Sequence, residues 1–276
     1  MGWPVDHSLS PPMQNAAIEA LGLDWVYVAL PVAPENLPQA LAGARAMGMV
    51  GMNLTIPHKQ EVLGLLNQID PTAKAIGAVN TVHFTDEGAF GYNTDAEGYV
   101  GAVQAEGRFD FKGAHVLQIG AGGVGRAMAL GAAKAGARRL TLLNRTLERA
   151  DRLADEIRRH APQLAVNVAG DPQAVASAAR EADLIANATS LGMKADDPLP
   201  LAAELIEARH VVFDTVYAPV AETPLLKAAA QAGARAVQGL GMLARQGARA
   251  LAIWSGREPD EALMEQVLRE QLARHQ

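Results

Sequence analysis

Three stretches of this chain hold polar or charged side chains that folding alone does not call for. In "QIGAGGVGRA", Gly120, Gly122 and Gly125 have the G-x-G-x-x-G spacing, directly after an apolar strand and at the opening of a helical run. Gly120 permits a tight turn, Gly122 lets the backbone approach a pyrophosphate, and Gly125 lets the helix pack closely, while the helix N-terminus attracts the phosphates. About 20 residues further on, an NAD site carries Asp or Glu for the ribose hydroxyls. Here the strand "LTLL" ends instead in Asn144, Arg145 and Thr146, with Arg149 close behind. Solvated arginines beside a Thr146 cap would explain this pattern too. Two cations at a helix start are disfavoured, however, unless an anion lies between them. A ribose 2′-phosphate is such an anion and matches guanidinium geometry, so NADP is favoured.

Lys59 is the second oddity. In "GMNLTIPHK", Leu54 and Ile56 alternate with Asn53 and Thr55 as in a strand, and Pro57 opens the run "PHKQEVLGLLNQ", which reads as a helix. Lys59 would then sit in the first helical turn, where free amides and the helix dipole disfavour a cation. A lysine of this kind often simply snorkels to solvent. The third stretch, "GYNTDAEG", contains a capping box, Thr94 with Glu97, that does not require the intervening Asp95. Near the start, Ser8 and Ser10 precede Pro11, which fits Ser10 as a helix N-cap.

The elements that hold these residues follow from the rest of the chain. Its 276 residues suit two modest domains. A net charge of −6, with no long basic run, argues against a nucleic-acid partner and for small molecules. The absence of cysteine excludes disulfides, thiolate metal sites and a cysteine nucleophile, and no two histidines stand three or four apart as helical metal ligands. Without a membrane-length apolar run or signal-peptide pattern, the expected location is the cytoplasm. From residue 115 the strands "HVLQIG", "RRLTLLN", "LAVNVA", "ADLIANA", "HVVFDTV" and "ARAVQ" alternate with helical stretches, which predicts an α/β fold with a doubly wound parallel sheet. Earlier residues predict a separate α/β domain: an early helix, and strands near 25–30, 49–56 and 77–84. The expected division is residues 1–98 plus 242–276 against 99–241, with helices from about 242 packing back on the first domain.

Together with "GWPVDHSLSP", "GAVNT", "NRTLERA", "NATSLGM", "DTVYAPVAETPL" and "GLGMLARQG", these stretches occur in the order, and at about the spacing, seen in shikimate dehydrogenases. The chain resembles that family over nearly its whole length. The resemblance implies NADP-dependent, reversible reduction of 3-dehydroshikimate to shikimate in chorismate and aromatic amino acid biosynthesis. It also implies a first domain that, with the last helices, binds substrate, and a Rossmann-type middle domain that binds NADP. Lys59 and Asp95 match the catalytic pair. Ser8, Ser10, Asn53, Thr55, Asn80 and Gln246 match residues holding the substrate's carboxylate and hydroxyls, as amides and hydroxyls suit a polyol. Tyr217 matches a tyrosine near the substrate carboxylate and nicotinamide, and Met242 a residue near the nicotinamide; core packing is the competing reading for both. The segment of Gly120, Ala121, Gly122, Gly123, Val124 and Gly125, then Asn144, Arg145, Thr146, Arg149 and Thr189, match the cofactor site. Where the family commonly has His before Asn15, this chain has Gln14, a helix-packing position.

A ketone receiving hydride develops negative charge on oxygen and needs a proton, which Lys59 can supply while Asp95 favours its charged form. Two alternatives remain: a quinate/shikimate dehydrogenase with broader substrate and NAD use, against which Arg145 and Arg149 argue, and a non-catalytic sensor, against which retention of Lys59 and Asp95 argues. Glutamyl-tRNA reductase needs a cysteine, and methylene-tetrahydrofolate dehydrogenases use Tyr-x-x-x-Lys, absent here. Either a monomer or a homodimer is compatible with the sequence. Relatives carry a strand before "G-x-P-x-x-H-S", so the natural start is expected several residues upstream of Met1, with β-branched or apolar residues there.

Overall fold

A computed structural model describes residues 1–5, 8–194, 196–217 and 222–274. Residues 6 and 7 of the first serine motif and 218–221 of the Tyr217 motif lie outside the described residues. The chain divides into two compact units, residues 1–95 with 243–271 and residues 96–242 with 272–276.

The first unit contains α1 (Ser10–Ala20), α2 (Leu37–Ala46), β1 (Gly51–Asn53), α3 (His58–Glu61), β2 (Gln68–Ile69), α4 (Pro71–Ile76), β3 (Thr81–Thr85) and β4 (Gly88–Tyr92). Its sheet has the order β1-β3-β4-β2, with β2 parallel to β4 and the other pairs antiparallel. Met52, Leu54, Val62, Val79 and Val82 are buried in one cluster with Leu37 and Leu41 of α2. Burying each side chain of this size contributes about 1.5–3 kcal/mol. The neighbours Asn53, Thr55, Lys59 and Asn80 are interleaved with these anchors, so the core fixes the backbone from which the polar groups project.

α5 (Asp95–Gly107) begins at the division between the units. The second unit continues with β5 (His115–Ile119), α6 (Gly123–Lys134), β6 (Arg139–Leu143), α7 (Leu147–His160), β7 (Ala165–Val168), α8 (Pro172–Glu181), β8 (Leu184–Asn187), β9 (Val211–Asp214), α9 (Pro224–Gln231) and β10 (Arg235–Gln238). All six strands are parallel in the order β10-β9-β8-β5-β6-β7. This is a doubly wound Rossmann order, reversing between β5 and β8, and ligands bind such sheets at the carboxyl ends of the strands beside the reversal. β5, β8 and β9 are buried at every position, as a sheet covered on both faces requires. The chain ends in α10 (Gly239–Ser255) and α11 (Glu261–Arg274).

Four expectations for the first unit need correction. Residues 23–30 form no strand; the amide and carbonyl of Tyr27 are both taken by the Asn15 side chain, at 2.7 and 2.9 Å, where a neighbouring strand would pair. The strand expected over 49–56 is confined to β1: the Leu54 amide still donates to the Asn80 carbonyl in the β1–β3 register, but the Asn80 amide turns to Tyr92 of β4 and the Thr55 amide to Met1, so the pairing is not reciprocated beyond Asn53. The long helix after Pro57 is the four-residue α3, with Pro57 at its N-cap, followed by a tighter helical turn over Val62–Leu65 that includes Gly64. Ser10 is the first residue of α1 and not its cap; its amide donates to Ser8 Oγ at 3.2 Å.

Candidate active site

Within the first unit, Lys59 Nζ lies 2.6 Å from Asp95 Oδ2, and both side chains are largely buried, at 12% and 6% exposure. Lys59 stands at the second position of α3, while Asp95 opens α5. The carboxylate therefore sits where a 13-residue helix presents free amides, whereas α3 is only four residues long and Lys59 falls in its last turn as well as its first. Asp95 is the charge that accommodates Lys59. Breaking a buried pair of this kind by removing one partner typically costs about 3–5 kcal/mol, because the other charge is left uncompensated.

Asn80 orients the carboxylate. Its side chain is 2% exposed. Nδ2 reaches Asp95 Oδ1 and Thr94 Oγ1, each at 2.9 Å, and Gln246 Oε1 at 3.3 Å, while Oδ1 accepts from the Thr94 amide at 2.9 Å. Lys59, Asp95, Asn80 and Gln246 are thus brought together by α3, α5, the turn before β3, and α10. The Lys59 carbonyl also accepts from the Val79 amide at 2.8 Å, which ties α3 to that turn.

Asn53 is hydrogen-bonded to the same group. Its Nδ2 donates to the Asn80 carbonyl at 3.1 Å and Thr81 Oγ1 at 3.0 Å, and its Oδ1 accepts from Tyr27 Oη at 2.9 Å. Both amide hydrogens are spent inside the protein, so Asn53 supports Asn80. Burial pushes the Tyr27 hydroxyl well above the usual phenol range, which keeps it a donor. Thr55 is exposed and Ser8 and Ser10 are half-buried, and among the described residues no hydrogen bond links them to Lys59 or Asp95. Tyr27, Thr81 and Thr94 were missed as site-supporting residues; their partners lie up to 28 positions away, and no local spacing reports them.

In the second unit, Gly120 has φ +107°, and a Cβ there would come within 2.9 Å of the Ala188 backbone. At Gly125 a Cβ would meet the Gly120 carbonyl oxygen at 2.5 Å, whereas Gly122 and Gly123 face open space. The amides of Gly122, Gly123 and Val124, at the N-terminus of α6, have no hydrogen-bond partner among the described residues. The loop is therefore shaped for close approach of an anion. Asn144 accepts from the Ala121 amide at 3.2 Å and donates to the Thr146 carbonyl at 2.7 Å, which ties the glycine loop to the loop after β6. Thr146 occupies the N-cap of α7, although its side chain makes no capping bond. Arg145 and Arg149 are exposed, and neither guanidinium has an ion-pair partner among the described residues. A cavity of about 480 Å³ opens beside Asn144 and Arg145, lined further by Leu147, Gly170, Val175 and Leu201. Its mostly apolar walls suit a flat aromatic base.

A buried network stands at the ends of β8 and β9. Asp214 accepts from Asn187 Nδ2 at 2.9 Å, Thr223 Oγ1 at 2.6 Å and the Val216 amide at 3.0 Å. Thr189 Oγ1 donates to Asn187 Oδ1 at 2.7 Å. Burial raises the Asp214 pKa, opposed by these donors. Tyr217 is half-buried, and burial likewise raises its hydroxyl pKa. Met242 is buried. Asn187 and Asp214 were also missed; a polar residue closing an apolar strand was the available signal.

Three family models match: "Shikimate dehydrogenase substrate binding domain" over residues 1–82, "Shikimate / quinate 5-dehydrogenase" over 103–194, and "Shikimate 5'-dehydrogenase C-terminal domain" over 239–269. A protein of Methanopyrus kandleri named shikimate dehydrogenase (NADP(+)) is 43% identical over 271 residues, covering 97% of this chain and 93% of the relative. This chain belongs to the shikimate dehydrogenase family. A second member with the same name, from an Anaeromyxobacter species, is 46% identical over 266 residues, with 96% and 92% covered. Among solved shikimate dehydrogenase structures, that of Thermus thermophilus in complex with NADP(H) and shikimate has a TM-score of 0.87 at 40% identity, covering 98% of this chain and 97% of the other. A quinate dehydrogenase from Corynebacterium glutamicum, in complex with NAD, has a TM-score of 0.89 at 33% identity, with 98% and 96% covered. Among the described residues no helix is long and apolar enough to cross a membrane, and no cluster of three or more His, Asp or Glu is arranged to hold a metal ion.

Proposed function

We propose that the protein is an NADP-dependent shikimate dehydrogenase, interconverting 3-dehydroshikimate and shikimate, with Lys59 and Asp95 as the catalytic pair. The observation that carries this reading is the 2.6 Å contact of Lys59 Nζ with Asp95 Oδ2, itself held by Asn80. In the reductive direction Lys59 donates a proton to the carbonyl oxygen as negative charge develops there; in the oxidative direction it takes the hydroxyl proton. Asp95 holds Nζ in place and balances its charge. Asn80, Gln246, Thr55, Ser8 and Ser10 serve the substrate's hydroxyls and carboxylate, with Asn53 acting through Asn80, and Tyr217 and Met242 serve the substrate and nicotinamide side of the second unit.

NADP, when bound, supplies the hydride in reduction and accepts it in oxidation. Gly120 to Gly125 would hold its pyrophosphate against the amides of α6, while Arg145 and Arg149 would hold the 2′-phosphate, with Asn144 and Thr146 shaping their loop and Thr189 just past the carboxyl end of β8. Free guanidiniums at the start of α7 suit that charge, whereas an NAD site would place a carboxylate there.

The test is a matrix of initial rates with shikimate or quinate and NADP or NAD. Turnover of shikimate with NADP well above the other three combinations is expected. Preference for quinate with NAD would favour the broader dehydrogenase, and ligand binding without turnover would favour a sensor.

A further inference from the structure

Gln118 is a primary amide inside β5, a strand buried at all five positions, and is itself 1% exposed. Its Nε2 donates to the carbonyl of Gly120 and to that of Gly125, both at 2.9 Å. These are the first and last glycines of the G-x-G-x-x-G motif. A Cβ on Gly125 would lie 2.5 Å from the Gly120 carbonyl oxygen and 3.1 Å from Gln118 Nε2, so the glycine leaves room for this amide to reach both carbonyls. The loop is also held by the Leu143 carbonyl, which accepts from the Gly120 amide at 2.8 Å, and by Asn144 at the Ala121 amide. Only Gln118 grips its carbonyl side among these three.

The geometry points to Gln118 as a positioning residue for the cofactor's pyrophosphate. By drawing the two glycine carbonyls inward, beneath the loop, it fixes the peptide planes so that the amides of Gly122, Gly123 and Val124 stay free for an anion, and it keeps carbonyl dipoles away from the phosphates. An apolar side chain there would leave the Gly120 carbonyl oxygen without this donor and the Gly125 carbonyl with its partner inside α6 alone, which loosens the turn that opens the loop. This role rests on the nucleotide assignment of the second unit. It differs from that of Arg145 and Arg149, because the pyrophosphate is common to NADP and NAD.

Gln118→Leu removes the donors at similar volume, and Gln118→Met serves if the leucine variant fails to fold. The dissociation constants of NADP and NAD, measured by titration calorimetry on folded protein, should both rise about ten-fold or more and by the same factor, as loss of two hydrogen bonds to one loop implies. Turnover at saturating NADP and the KM for shikimate should stay at the native values. Unchanged cofactor affinity in a folded variant overturns the role, as does a loss confined to NADP or a fall in kcat with cofactor affinity intact. Native protein that binds neither nucleotide overturns the nucleotide assignment and this inference with it.

Discussion

Thirty-six positions separate Lys59 from Asp95, yet their side chains meet at 2.6 Å because α3 and α5 both begin beside the turn that carries Asn80. Asp95→Asn keeps the shape and the Asn80 contact but removes the charge opposite Lys59. It should lower kcat by about 10²-fold, the range for lost general acid/base support, with little change in the KM for NADP, as initial-rate kinetics would show. An unchanged kcat would contradict the pairing. Neutral replacement of both Arg145 and Arg149 should raise the KM for NADP by about ten-fold or more for each charge-assisted bond lost and leave NAD nearly unaffected. An equal loss for both cofactors would refute their part in 2′-phosphate recognition. These residues were legible because each sits in a short motif at a strand end. Asn53 was less so: its type suits a polyol, but its partners Tyr27 and Asn80 are fixed only by the tertiary fold.

At the scale of elements, the second unit was the easier to read. Parallel strands buried on both faces are mostly apolar, so the fully buried β5, β8 and β9 stand out in the sequence as runs between amphipathic helices, and the partly exposed edge strands β7 and β10 follow from the same alternation. β4, "GAFGY", did not stand out, since two glycines weaken any strand signal. Residues 23–30 gave a false one: the alternation is real, but no strand pairs with it, and at Tyr27 the Asn15 side chain takes both backbone groups. The network around Asp214 shows what joins the elements. Thr223 caps α9 through the Leu226 amide and also donates to Asp214, so Thr223→Val removes a cap and leaves a buried carboxylate oxygen short of a donor. The expected cost is about 1–3 kcal/mol, read as a lower midpoint in urea unfolding at an unchanged slope. A native midpoint would show that the network contributes nothing to stability.

For the molecule as a whole, buried histidines set a pH dependence. Desolvation lowers the pKa of His115 and His210 below the usual 6.5. Between the folded and unfolded values the unfolded chain binds more protons, so stability is fully present above pH 6.5 and is lost as the pH falls through the folded values. Thermal unfolding followed from neutral pH downward should show Tm falling across that window, and falling less in a His115→Gln variant; a flat or rising Tm would contradict the burial of neutral imidazoles. The most direct measurement is the kcat of Lys59→Ala against native protein for shikimate oxidation by NADP, both substrates saturating. A fall of about 10²-fold or more is expected, with the KM for shikimate little changed. A raised KM with kcat preserved would make Lys59 a binding residue and contradict its role in moving the proton.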